Sequence, residues 1–187
     1  MTGGLSIETG GPELASLHRT DICRLHYSIF SAPPFVTSIS GVEQQMAVFD
    51  DLLEKDAFTV SIARAGEMLI GFAYGHRLPV DHLWWGRFLV DIPQSLTDEW
   101  EGRTFTLVDL AVDERHRREG LGRRLVQTLL AGRREERVIL STQPSADDAH
   151  AFYSASGWQL IGRKGPIPGA VPPFWDIYLR EIRPDAE

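Results

Sequence analysis

The 187-residue chain has a single cysteine, Cys23, which excludes an intrachain disulfide framework and a cysteine-rich zinc site and fits a reducing compartment. Its apolar runs are only a few residues long, far short of the roughly 20 residues that cross a bilayer, so no membrane helix is expected. The opening Met1-Thr-Gly-Gly-Leu-Ser-Ile-Glu has neither a basic n-region nor a hydrophobic h-region, and the expected location is the cytoplasm. Internal repeats and low-complexity tracts are absent as well. Positive charge is not in excess: 19 basic residues face 26 acidic ones, a formal net charge of −7, which argues against a general nucleic-acid binder. What remains is an ordinary globular composition, 43% hydrophobic and 24% charged, long enough for one well-cored domain over residues 1–187.

The charge is unevenly spread. Residues 114–137 hold eight arginines (115, 117, 118, 123, 124, 133, 134 and 137) against four glutamates, which leaves 11 basic and 22 acidic residues elsewhere. A basic island in an acidic body suits a phosphate-bearing ligand at the island and a cationic substrate drawn to the rest; a solvated helix face is the plainer explanation of the same run.

Hydrophobic spacing predicts helix over 13–30, as one piece or two, and over 42–54. Residues 58–63 and 68–75 alternate as strands joined by a hairpin across Ala65-Gly66. Residues 78–103 are irregular and carry Trp84, Trp85, Phe88 and Trp100. A strand at 104–112, apolar enough to be central, precedes a helix at 121–131; strand, helix, strand and strand follow at 138–142, 145–156, 158–162 and 174–180. Hairpin strands first and strand-helix units later predict a three-layer α/β domain on a mixed sheet.

The chemically informative stretch is Arg117-x-x-Gly120-x-Gly122, directly after the apolar strand and opening a helix. Its glycines let a ligand approach the backbone, and first-turn N–H groups without helical partners suit an anion. It lacks the Gly-Lys-Ser/Thr ending of a Walker A loop, and Leu125 stands where a dinucleotide fingerprint has its third glycine. Downstream lies Ala149-His-Ala-Phe-Tyr153-Ser-Ala-Ser-Gly157-Trp158.

Together these two markers, in this order and separated by one helix and one strand, resemble the GNAT superfamily of acyl-coenzyme A-dependent N-acyltransferases. Arg118 departs from the pattern, standing where the family often has glycine. The resemblance implies a three-layer α/β/α fold, with a mixed, mostly antiparallel sheet splayed at the cofactor site and a cofactor-binding core over about 104–165. It implies acetyl-coenzyme A as co-substrate, its diphosphate held by backbone amides of Arg118, Glu119, Gly120, Leu121, Gly122 and Arg123. Arg117, Arg118, Arg123 and Arg124 would raise the local potential. The edge of Leu110, Ala111 and Val112 would pair with the pantetheine arm, and an N–H near Ala111 or Val112 would serve the thioester oxygen.

Tyr153 is then the candidate general acid for the departing thiolate, because a phenol is neutral at pH 7 and donates; a helix-face tyrosine is the structural alternative. Asp109 is the candidate base. Alternation places it with Leu107 and Ala111, opposite Val108 and Val112, and burial is expected to raise its pKa. A carboxylate hydrogen-bonded to a neighbouring loop is the equal alternative. His76, His82 and His150 are alternatives by chemistry alone, and Cys23 with His26 forms a nucleophile-like pair lacking an orienting third group. Trp84, Trp85 and Phe88 either wall an acceptor pocket or pack the long loop or a homodimer contact. No metal site, nucleic acid or membrane is implied. The expected acceptor is a small-molecule amine, cationic by the charge argument, with a protein amine as a second fit; the alternative function is a coenzyme A-binding regulatory or assembly module without turnover.

Overall fold

A computed structural model describes residues 4–81 and 83–182. In it, strand β1 (Leu5–Gly10) leads to helices α1 (Pro12–Leu17), α2 (Arg19–Phe30) and α3 (Val42–Leu53). Strands β2 (Thr59–Ala65) and β3 (Met68–Arg77) form the expected hairpin. After an irregular segment holding the short α4 (Gln94–Thr97) come β4 (Thr104–Val112), α5 (Leu121–Leu130), β5 (Arg137–Thr142), α6 (Asp147–Ala155), β6 (Gln159–Lys164) and β7 (Trp175–Glu181). The predicted helix at 13–30 is two helices that meet at His18, whose φ of −106° and ψ of 11° leave the helical basin. Strand β1 has no counterpart in the sequence reading; it is a largely exposed edge strand, and its burial pattern carries no clean alternation.

The seven strands run in the order β1-β2-β3-β4-β5-β7-β6, antiparallel everywhere except between β4 and β5. That one parallel pair is joined through α5, as a crossover requires. Leu121, Leu125, Val126, Leu129 and Leu130 turn the apolar face of α5 onto Ala73, Phe105, Leu107 and Val138. On the other face Ile22, Cys23 and Phe49 of α2 and α3 pack on Val60, Ile62, Phe72, Tyr74 and Ala111. The result is the expected three layers.

Two features of β4 position the site. Its parallel pairing with β5 covers only Thr104 to Thr106 against Arg137 to Ile139, so the strands part beyond Thr106. On the opposite edge, Tyr74 faces Asp109 while the next residue, Gly75, faces Leu107. Val108 is therefore the extra residue of a bulge. Gly75 allows it: a Cβ there would lie 2.0 Å from the Thr106 carbonyl oxygen. The bulge also corrects the face of Asp109. Leu107 packs into the α5 side of the sheet, whereas Val108 and Ala111 pack toward α2 and α3; Asp109, which meets Tyr74 and His26, lies with them rather than with Leu107.

The tryptophan-bearing segment belongs to a third cluster. Trp84 and Trp85 pack on Leu78, Ile139, Leu179 and Ile161, covering the far half of the sheet. Lys164, 7% exposed, reaches into this layer and donates to the Trp84 carbonyl. Its ammonium lies 5.1 Å from the Trp84 ring centre and 5.7 Å from that of Phe88, and no carboxylate pairs with it among the described residues. Burial pushes its pKa down to about 8.

In the unfolded chain a lysine titrates near 10.4, so between pH 8 and about 10 the unfolded state binds more protons and stability rises with pH. Lys164→Met removes this contribution: urea unfolding of wild type and variant across pH 7.5–9.5 should show wild type gaining on the variant as pH rises. A constant difference assigns the ammonium no burial cost.

Candidate active site

Where β4 and β5 part, a cleft of about 440 Å³ opens. Leu110, Ala111 and Val112 form one side, Ala149, Phe152 and Tyr153 of α6 another, and Ile29, Phe30, Pro34 and Phe35 at the end of α2 a third. His116, Arg117, Arg118, Gly120, Leu121 and Gly122 close its polar end. Of the cofactor residues expected from sequence, Glu119 and Arg123 do not line it. Glu119 is exposed, and Arg123 is spent on the Ala155 carbonyl at the end of α6, 3.3 Å away.

The polar end is built by two tight turns. Asp113 accepts from the Arg115 backbone N–H at 3.0 Å and its Nε at 3.1 Å, and these bonds pull its carboxyl down to about 2. Arg117 folds back on the chain, its Nε donating to the Val112 carbonyl at 3.1 Å. Gly120 opens α5 at φ 75°, the left-handed region that glycine enters freely, and no side chain caps the amides that follow. Arg118 holds φ 64° without glycine's freedom and makes no hydrogen bond or ion pair among the described residues. A left-handed residue with open space around it, uncapped first-turn amides and unpaired positive charge suit a diphosphate. The island's eight arginines are not all available for one: Arg133 is tied to Glu135 at 3.0 Å, and the buried Arg137 to Glu99 at 3.1 Å.

At the other end, the buried Tyr153 lies against Phe152, Trp158 and Tyr178, with ring centres 5.3–5.6 Å apart. Burial, the charge of Asp109 and Tyr178 all raise its pKa, so it stays a neutral donor. Asp109 belongs to the opposite face of the sheet and does not itself line the cleft, but its charge is felt at Tyr153.

Asp109 departs from expectation. Burial works to raise its pKa, but the charge of His26 and the hydrogen bonds of His26 and Tyr74 prevail and hold it below its ordinary value. Tyr74 is in turn pushed up by burial and by Asp109. His26 is the residue sequence reasoning missed: it was paired with Cys23, whereas its Nε2 lies 3.3 Å from Asp109 Oδ2. Only its place one helical turn before Ile29 and Phe30 could have pointed to the site.

Two of the histidines named as alternatives have other partners. His150 meets the Tyr178 hydroxyl at 2.8 Å and the Gln143 carbonyl at 3.2 Å. His76 Nδ1 is 2.8 Å from the Arg77 carbonyl, and His82 lies outside the described residues. Trp84, Trp85 and Phe88, read either as acceptor walls or as packing for the long loop or a dimer contact, do not line the cleft; the first two pack in the third cluster and Phe88 bridges to Lys164, because the segment lies along the β5-β7-β6 half. The described residues contain no group of three metal-ligating side chains and no helix long and apolar enough to cross a membrane.

An open mixed sheet thus splays beside a glycine-opened helix, with a tyrosine at the gap. The model of the acetyltransferase (GNAT) family matches residues 23–158, and the chain belongs to that family. No curated protein matches it in sequence. Among solved structures it is similar to an acetyltransferase from Thermus thermophilus (19% identity, 97% of this chain and 99% of that one, TM-score 0.63). It is also similar to aminoglycoside 6′-acetyltransferase type Ii (14%, 97% and 99%, 0.66) and to aminoglycoside N-acetyltransferase AAC(6′)-Iy in complex with CoA (18%, 82% and 87%, 0.55). At these identities the likeness is one of fold.

Cys23 is buried, and its thiol is pushed up to about 11 by burial. It should therefore resist a thiol reagent in the native protein at pH 8 and react as one equivalent in denaturant; rapid native labelling would reopen the nucleophile reading.

Proposed function

We propose that this protein transfers an acetyl or other short acyl group from acyl-coenzyme A to a primary amine by direct attack in a ternary complex, and that residues 1–187 act as one domain with the cofactor-binding core at about 104–165. The observation that carries the reading is the gap between β4 and β5. An open strand edge leads there from the uncapped turn at Gly120 to a phenol on one face of the sheet and a carboxylate on the other.

The residues present fit acetyl-coenzyme A. The amides after Gly120 and the side chains of Arg117 and Arg118 would hold its diphosphate, and Leu110 to Val112 its pantetheine arm. The co-substrate supplies an acyl carbon activated by a thiol leaving group. As the C–N bond forms and the C–S bond breaks, Tyr153 gives its phenolic proton to the sulfur, and the second proton shed by the acylated nitrogen returns to the phenolate. Asp109 takes the ammonium of the acceptor and receives its proton, which its 22% exposed side chain passes to solvent. The acceptor is a small cationic amine: Asp109 is held ionised, most of the chain is acidic, and two of the similar folds are named for aminoglycosides. Attraction of this kind weakens with salt, so kcat/KM for a cation falls as ionic strength rises.

Two variants separate binding from chemistry. Gly120→Val forces a β-branched residue to φ 75° and places its side chain where the ligand must approach, so calorimetric affinity for coenzyme A should fall at least about tenfold while the fold survives. Unchanged affinity removes this turn from the binding site. Tyr153→Phe keeps the ring contacts and loses the proton, and kcat should drop about 10²–10⁴-fold with little change in Tm. Near-normal turnover where chemistry is rate-limiting makes Tyr153 structural. Coenzyme A binding without thiol release for any primary amine would assign the protein to the non-catalytic, regulatory class.

A further inference from the structure

One oxygen of Asp109 carries the contacts the carboxylate makes. Tyr74 donates its hydroxyl to Oδ2, and His26 Nε2 lies 3.3 Å from the same atom. Oδ1 takes no hydrogen bond among the described residues, although the side chain keeps 22% of its surface. Both partners are fixed by packing. The Tyr74 ring lies 5.1 Å from Phe49 and 5.4 Å from Phe72. His26, 12% exposed, lies 4.5 Å from Phe30 and 6.4 Å from Phe72. Phe30 is itself a cleft wall. Turning the carboxylate would break both contacts to Oδ2, so Oδ1 is the oxygen left open to an added donor.

We infer that His26 is a positioning residue for the acceptor: with Tyr74 it pins Oδ2 of Asp109 and leaves Oδ1 as the dock for the substrate's ammonium group. The inference rests on the amine acylation proposed above and adds a pH dependence to it. A neutral imidazole only orients the carboxylate. A protonated one places a positive charge 3.3 Å from Oδ2 and competes with the ammonium for the same negative charge. Protonation of His26 therefore weakens acceptor binding without touching the acid at Tyr153.

The groups around His26 leave this pair to respond. From β4 comes Asp109, from β3 Tyr74 and from its own helix Cys23; the last two are raised and stay neutral near pH 7. Helix α3 offers Asp50, already taken by Arg19 at 2.5 Å.

The test uses His26→Gln, whose amide donates without titrating. Thiol release from acetyl-coenzyme A is followed with spermidine, kanamycin and phenethylamine from pH 5.5 to 8.5. Wild-type KM for the amine should climb about tenfold as pH falls across this interval, with kcat nearly constant, whereas the His26→Gln KM stays within about twofold. The same climb in the variant, or a loss confined to kcat, overturns the assignment. A second readout needs no turnover: carboxyl ¹³C NMR of aspartate-labelled protein, with Asp109→Asn identifying the signal. The Asp109 midpoint should rise by about one pH unit or more in His26→Gln, and an unmoved midpoint refutes the pinning. If none of these amines releases thiol, the acylation reading fails for them, and the NMR titration still decides whether His26 governs Asp109.

Discussion

Strands β4 and β5 share three paired positions and then separate, and the rest of the site depends on where that pairing stops. A buried strand edge without a partner carries backbone groups that cost about 1–3 kcal/mol each unless something bonds to them. Here the open edge is Leu107 to Val112, and an extended ligand with amides of its own is the natural partner. Val108, the bulged residue, swells β4 at the same level, and the side-chain-free Gly75 makes room for it. Separation and bulge together set Asp109 toward α2 while Tyr153 approaches from the α5 and α6 side.

Charge follows geometry rather than count. The basic island is the most conspicuous feature of the sequence, yet most of its arginines have structural work. Arg115 braces Asp113, Arg117 ties back to the end of β4, Arg123 caps α6, Arg133 lies 3.6 Å over the Phe105 ring, and Arg137 joins Glu99 and Thr104 beneath Trp85. Arg118 is different. It lines the cleft, pairs with nothing among the described residues and holds a left-handed backbone, a conformation that costs about 1 kcal/mol or more outside glycine. Arg124 and Arg134 also make no hydrogen bond or ion pair among the described residues, but of these three only Arg118 lines the cleft.

Local periodicity made most of the fold legible. Strands β2 to β7 and helices α3, α5 and α6 lie where alternation and helical spacing put them, and Arg117-x-x-Gly120-x-Gly122 with Tyr153 located two ends of the cleft. The failures share a cause, since each needs information from elsewhere in the chain. Strict alternation put Asp109 with Leu107 because a bulge cannot be seen in β4 alone; it arises where β4 meets Gly75 of β3. His26 was invisible because its partner lies on a strand that α2 meets only after docking. Trp84 and Trp85 are large aromatics in a long loop, as substrate walls are, but the sheet's β5-β7-β6 half also needed a cover, and they supply it.

The pKa values of Tyr153 and Asp109 are driven apart by their surroundings, and Tyr153 also feels the charge of Asp109. Burial alone would raise both, leaving a neutral acid on each side and nothing to hold a cation. Tyr74 and His26 reverse that for Asp109, so the carboxylate is ionised where burial would protonate it. Its retained charge then adds to burial at Tyr153, keeping the phenol protonated. A neutral phenol and an ionised carboxylate thus stand on opposite faces of the sheet, the division of labour that the proposed transfer from a thioester to an ammonium-bearing acceptor uses. Tyr74 and His26 act through Asp109, and none of the three lines the cleft itself.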